Sequence, residues 1–260
     1  MENRRRVVVK VGTSTLTHKT GRLNIRRVEK LVKILSDIHN AGNDIILVSS
    51  GSIALGMAKL GLMEKPDDTA LKQTCAAVGQ CELMYMYDKY FSEYSLTVAQ
   101  FLLTKYILLE DRRKNVENAL ECVIERGIIP IVNENDTVAI DELELEVGEN
   151  DSLAATVAQI AKADLLIILS DIDGLYDKDP YRHPDARLVR EVTEITDEIK
   201  ALAGGARRGT GGMVTKINAA EKAMKSGFDM IITNGREPEN LYKIFDSIPV
   251  GTRFISQKER

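Results

Sequence analysis

The chain has 260 residues, 44% of them hydrophobic and 28% charged, with a net charge of −4. That balance belongs to a soluble globular protein with a substantial core, without the basic excess that nucleic acid demands or the ~20 consecutive apolar residues that span a bilayer. Three cysteines (Cys75, Cys81, Cys122) form no CxxC pair, three histidines match no zinc spacing, and the N-terminus runs into an apolar stretch with no cleavage site. A reduced, cytoplasmic chain without a leader or a protein-held metal is expected.

The first predicted strand, 6–11, reads RVVVKV. Lys10 is out of place there, because a lysine is rarely fully buried without a partner. Either it snorkels from an edge strand, or it points a cation at an anionic ligand. The following Gly12-Thr13-Ser14-Thr15 allows close backbone approach and anion binding. It is neither a dinucleotide fingerprint nor a Walker loop.

A helix is predicted over 24–41, with Asn24 as N-cap, Gly42 beyond its end, and Ile25, Val28, Leu31, Val32, Leu35 and Ile38 on one face. The strand at 44–48 feeds Ser49-Ser50-Gly51 and a helix that starts near Ser52, whose free amides either hold an anion or are simply capped. The long helix at 67–90 carries LMYMY, which serves either the core or an oligomer interface. A strand at 96–99 and a helix at 111–126 follow.

The strand at 128–132 runs directly into Asn133, Glu134, Asn135 and Asp136, more carboxamides and carboxylates than a turn requires. Such a set suits a small ligand with both an ammonium and a carboxylate. The acidic, alternating segment 137–147 predicts a half-exposed hairpin. Gly148-Glu149-Asn150-Asp151 then opens a helix at 151–161, where Asn150 or Asp151 either caps the helix or serves a site. The strand at 165–169 ends in Ser170 and Asp171; the acids beyond it, Asp173, Asp177 and Asp179, have the wrong spacing for a calcium loop. GGARRGTGGMVTK feeds a helix at 214–226, and Lys216 in its first turn opposes the helix dipole unless an anion is near. A strand at 230–233, a helix at 238–245 and a strand at 253–255 complete the chain.

Apolar strands alternating with amphipathic helices imply an α/β fold whose mostly parallel sheet is covered on both faces, with ligands at the carboxyl ends of its strands. No repeat or linker divides the chain, so one domain with two lobes is expected. Two lysines, a glycine-rich cradle and Asp171 lie at those ends, with no Ser–His pair and no paired acid/base carboxylates. Phosphoryl transfer is the chemistry that needs positioning and charge stabilisation rather than a nucleophile.

VVVKVGTS, VSSGSIALG, IPIVNENDTV, VGENDSLAA, LSDIDGLYDKDP and GTGGMVTK, in that order, with AAVGQ at 76–80, resemble the amino-acid kinase superfamily and, within it, the glutamate 5-kinase family. The resemblance implies a three-layer αβα sandwich around a mostly parallel sheet of about eight strands. It implies a single kinase domain over 1–260, with an acceptor lobe over about 1–160, a nucleotide lobe over about 161–260, and no C-terminal PUA domain. The implied reaction is ATP-dependent phosphorylation of the γ-carboxylate of L-glutamate, the first step of proline biosynthesis, with Mg2+ carried by the ATP phosphates. Lys10 and Lys216 would be catalytic cations, with Asp171 orienting them and Asp151 a further organiser. Ser50, Gly51, Asn133, Asp136 and Asn150 would bind the acceptor, Asp136 facing its α-ammonium. Lys10, Ser170, Asp171, Thr210, Gly211, Gly212, Met213, Val214, Thr215 and Lys216 would bind the nucleotide. A homo-oligomer, dimer or tetramer, and feedback inhibition by proline are implied as well, with no nucleic-acid or membrane partner. Glu149 stands where many relatives carry aspartate. Two rival readings stay open: a superfamily kinase acting on acetylglutamate or uridylate, and a non-catalytic amino-acid sensor, which would need neither Lys10 nor Lys216.

Overall fold

The computed structural model describes residues 4–104, 109–138, 150–204 and 212–257. Strand β1 (Arg6–Val11) lies between β2 (Asp44–Ser49) and β5 (Leu165–Ser170), parallel to both. Neighbours on both sides explain its apolar sequence, since a central parallel strand is buried on both faces. Strands β3 (Val98–Leu103), β4 (Ile129–Glu134) and β7 (Asp229–Asn234) extend the parallel array, and β6 (Glu191–Val192) and β8 (Thr252–Phe254) close it. The order is β3-β4-β2-β1-β5-β7-β8-β6, and of the described pairings between these strands only β7–β8 is antiparallel.

Side-chain alternation sends β1 into two cores. Val7, Val9 and Val11 join a cluster beneath α2 (Ile25–Asn40), α3 (Ser52–Leu60), α4 (Thr69–Ser92) and α9 (Asn240–Phe245). Val8 joins the cluster beneath α5 (Glu110–Glu125), α6 (Asn150–Ile160), α7 (Asp197–Gly204) and α8 (Met213–Lys225). Lys10 shares the parity of Val8, so it faces the second set of helices. The result is the expected three-layer αβα sandwich.

Local signals act as read. The Asn24 side chain accepts from Arg27 N at the start of α2, and Gly42, with φ of 98°, follows its end. Helices α3 and α4 press together where Gly56 and Gly79 lack side chains; a Cβ at either would overlap the backbone of the opposing helix. Within LMYMY, Leu83, Met86 and Tyr87 are buried and Tyr85 is exposed, so the stretch is mainly core. Cys75 is buried, whereas Cys81 and Cys122 are exposed.

Three elements were not predicted: the short helix α1 (Thr13–Leu16), α7 and β6. Each is short, and two residues of β6 cannot display a periodicity. The strand predicted at 96–99 lies at Val98–Leu103 instead, because it pairs with all of β4 and follows that strand's register. The predicted hairpin at 137–147 falls largely outside the described residues; Thr137 and Val138, its first two, lie in a turn. No described helix is long and apolar enough to cross a membrane.

Candidate active site

The carboxyl ends of β1, β2, β4, β5 and β7 lie along one edge of the sheet, and a cleft of about 1270 Å³ opens there. Its lining brings together Lys10, Ser50, Gly51, Asn133, Asp136, Asn150, Ser170, Asp171, Gly212, Met213 and Lys216. Val214 and Thr215 lie in the first turn of α8, outside that lining. Thr210 and Gly211 lie outside the described residues, as does Glu149.

Asp151 lies beneath the cleft, fully buried, between the two predicted cations. Lys10 Nζ is 2.7 Å from its Oδ1 and Lys216 Nζ 3.1 Å from its Oδ2. Thr215 Oγ1 donates to Gly212 O and lies 3.3 Å from Asp151 Oδ2. Burial works against the charge on Asp151, but the ammonium groups of Lys10 and Lys216 overcome it and hold the carboxyl below its usual range. Thus Lys10 does not snorkel. It is buried against a carboxylate of its own chain, at the place where α6 and α8 begin. Asp171 is elsewhere: exposed at the end of β5, it accepts a hydrogen bond from Ser170 Oγ at 3.3 Å. Asp151 rather than Asp171 bridges the lysines.

The residue beside Asp151 turns the other way. Asn150 Nδ2 lies 3.2 Å from Ser49 O, 3.0 Å from Ser50 Oγ and 2.8 Å from Asn133 Oδ1. Asn133 Nδ2 in turn donates to Gln80 Oε1. Ser50 N is tied to Val11 O, so the ends of β1 and β2 hold this network in register. Gly51, with φ of 105°, makes the left-handed turn into α3 that a side chain would strain. The first residue of that helix, Ser52, donates from Oγ to Asp136 Oδ2 at 2.9 Å.

In the sequence Ser52 reads only as a helix start, and Gln80 only as the end of the AAVGQ stretch, with no role of its own. Their partners lie 84 and 53 residues away, so no local spacing shows what either one bonds to. Lys19, Lys65, Arg182 and Arg236 also line the cleft and were not singled out.

The sequence profile of the amino acid kinase family matches residues 5–234. The chain belongs to that family. Among its relatives, it is similar to the glutamate 5-kinase of Clostridium perfringens, with 52% identity over 99% of this chain and 98% of that protein. The glutamate 5-kinase of Listeria innocua is 50% identical over all of this chain and 96% of its own length. The family fold is equally plain in three dimensions: the Giardia lamblia carbamate kinase bound to AMP-PNP superposes with a TM-score of 0.68 over 99% of this chain and all of that one, at 19% identity.

Proposed function

We propose that this chain transfers the γ-phosphoryl group of ATP to the γ-carboxylate of L-glutamate, giving L-glutamyl 5-phosphate and ADP, the first step of proline biosynthesis. The observation that carries the reading is identity at about half of all positions with glutamate 5-kinases over the full chain. The Lys10–Asp151–Lys216 cluster beside a carboxamide network supports it chemically.

A γ-carboxylate oxygen of glutamate attacks the γ-phosphorus. The new O–P bond forms as the bond to the ADP oxygen breaks, and ADP leaves with that electron pair. The nucleophile is already an anion, so no general base is required. The difficulty is bringing two anions together: unit charges ~4 Å apart repel by roughly 4 kcal/mol at an intermediate dielectric. Lys10 and Lys216 offset that repulsion, and they do so best as charge spreads over the transferring group. Asp151 holds both lysines in place, so neither has to be ordered as the reaction proceeds.

Asp136 receives the α-ammonium of glutamate, with Ser50, Gly51, Asn133 and Asn150 around the rest of the acceptor. Ser170, Asp171 and the segment 210–216 take the nucleotide. Mg2+ travels on the ATP phosphates, in keeping with its reluctance to shed water. The acceptor lobe then spans about 1–160 and the nucleotide lobe about 161–260. Proline carries the same α-amino and α-carboxylate groups and would compete at the Asp136 end.

The test is an ATP- and Mg2+-dependent assay in which hydroxylamine traps acyl phosphate. Hydroxamate is expected from L-glutamate, not from N-acetylglutamate or L-aspartate, and is lost in Lys10→Ala. Glutamate binding without hydroxamate or ADP would replace the kinase reading with that of a sensor.

A further inference from the structure

Gln80 sits on α4 directly after Gly79. Because a Cβ at Gly79 would overlap Ser52 O, α4 packs its backbone on the first turn of α3. That close approach carries Gln80 to the end of β4. There its Oε1 accepts from Asn133 Nδ2 at 2.9 Å, on the face of the sheet that Asn133 shares with Ile129 and Ile131.

The direction of this amide chain is set at its far end. Ser49 O is a backbone carbonyl and can only accept, so Asn150 must turn Nδ2 toward it. Asn133 must then offer Oδ1 to Asn150, which leaves its Nδ2 for Gln80. Were Asn133 reversed, its NH2 would face the NH2 of Asn150. Gln80 therefore meets Asn133 in the one orientation the chain allows, and its acceptor is a second hold on an amide that Asn150 already grips from the other side. Its own Nε2 is buried and has no hydrogen-bond partner among the described residues. An unmet buried donor is unfavourable for folding, so stability does not account for a glutamine here.

We propose that Gln80 is a positioning residue for the acceptor, orienting the Asn133 carboxamide, and through it Asn150, toward the incoming amino acid. This rests on the glutamate reading above. The role is specificity through orientation: without Gln80 the Asn133 amide keeps only its Asn150 contact, and an amide held at one end can tilt, which blurs the placement of donor and acceptor that distinguishes the ammonium and carboxylate ends of the ligand.

The experiment is steady-state kinetics on the full chain for Gln80→Met, Asn133→Ala and the double variant. Methionine keeps the length of the side chain and removes the accepting oxygen. Gln80→Met is expected to raise the KM for L-glutamate about tenfold, the loss of one good hydrogen bond, with the KM for ATP unchanged. In the Asn133→Ala background the same change should add less than about twofold, because Gln80 acts through Asn133. Should Gln80→Met fail to fold, Gln80→Glu carries the test. Its carboxyl still offers Asn133 an acceptor oxygen in place of Oε1, so the glutamate KM should stay within about twofold of the parent. An unchanged glutamate KM in Gln80→Met, a fully multiplicative double variant, or equal rises in both KM values would overturn the role, as would a large rise in Gln80→Glu. A parent chain inert toward glutamate would remove the glutamate reading and this inference together. An active parent matched by Gln80→Met would remove the inference alone.

Discussion

The two faces of the sheet meet the cleft with opposite chemistry. Beneath α6 and α8, Lys10, Asp151 and Lys216 form a buried cluster of ionised groups. On the α4 side, Asn133, Gln80, Ser49 and Tyr87 form a neutral network, in which Ser49 Oγ and Tyr87 OH are 2.8 Å apart. Burial pushes the Tyr87 phenol above its usual value, with the Ser49 hydrogen bond opposing, so this face stays uncharged at any working pH. Two lysines and one aspartate carry a surplus positive charge that suits a phosphoryl group. Neutral amides carry direction instead, and direction is what distinguishes one end of an amino acid from the other. In the proposed reaction, strength would come from one face and discrimination from the other. Asn150 and Asp151, adjacent at the start of α6, join them.

Breaking the charged face should therefore cost stability and turnover, and the largest effect belongs to Asp151→Asn. It leaves two buried ammonium groups without their carboxylate, a loss of about 3–5 kcal/mol in urea unfolding. The sign with pH follows from the depressed carboxyl of Asp151. Its contribution is complete above the unfolded value of about 4 and disappears as pH falls through the lower folded value. The stability gap between parent and variant should accordingly be widest near neutrality and narrow below pH about 4. A gap that widens in acid would contradict the assignment.

Lys216→Ala comes next. Losing one preorganised cation at the transferring group should lower kcat about 10²–10³-fold, with a smaller change in the KM for glutamate. A variant that lost affinity for glutamate at full kcat would place Lys216 on the acceptor instead. Asp136→Asn tests the boundary between the two faces: it removes the charge proposed for the α-ammonium and keeps the shape. The expected result is a rise of about tenfold to a hundredfold in the KM for glutamate, the worth of one charge-assisted hydrogen bond, with the KM for ATP unmoved.

The two faces also differ in how much of them the sequence discloses. Lys10 in an apolar strand and Lys216 at a helix start are both anomalies, because each breaks a local rule that only a nearby charge can excuse. Taken together they point to an anionic ligand, with Asp171 as the carboxylate beside them, and not to the cluster around Asp151. What joins them did not show: Asp151 follows Asn150 in a stretch that reads equally well as a helix cap. The neutral face is quieter still. Asn133 stands out only because it follows a buried strand, and Gln80 looks like any polar residue on a long helix. Its role depends on the Gly79 contact with α3, a packing fact with no local signature. The parallel sheet was legible for the opposite reason. Runs such as VVV and LLIIL can be buried on both faces only in the middle of such a sheet.

The smallest predicted effect discriminates most finely. Ser52 is buried, and its Oγ donates to Asp136 Oδ2 from the first turn of α3. If Asp136 holds the α-ammonium, the hydroxyl fixes where that carboxylate points. Ser52→Ala removes a bond worth about 1 kcal/mol, a rise of about fivefold in the KM for glutamate at unchanged kcat. The change acts through Asp136, so it should lose its effect in the Asp136→Asn background. The same fivefold penalty in both backgrounds would mean that Ser52 touches the acceptor itself, and the neutral face would then reach one residue further into the cleft than its hydrogen bonds imply.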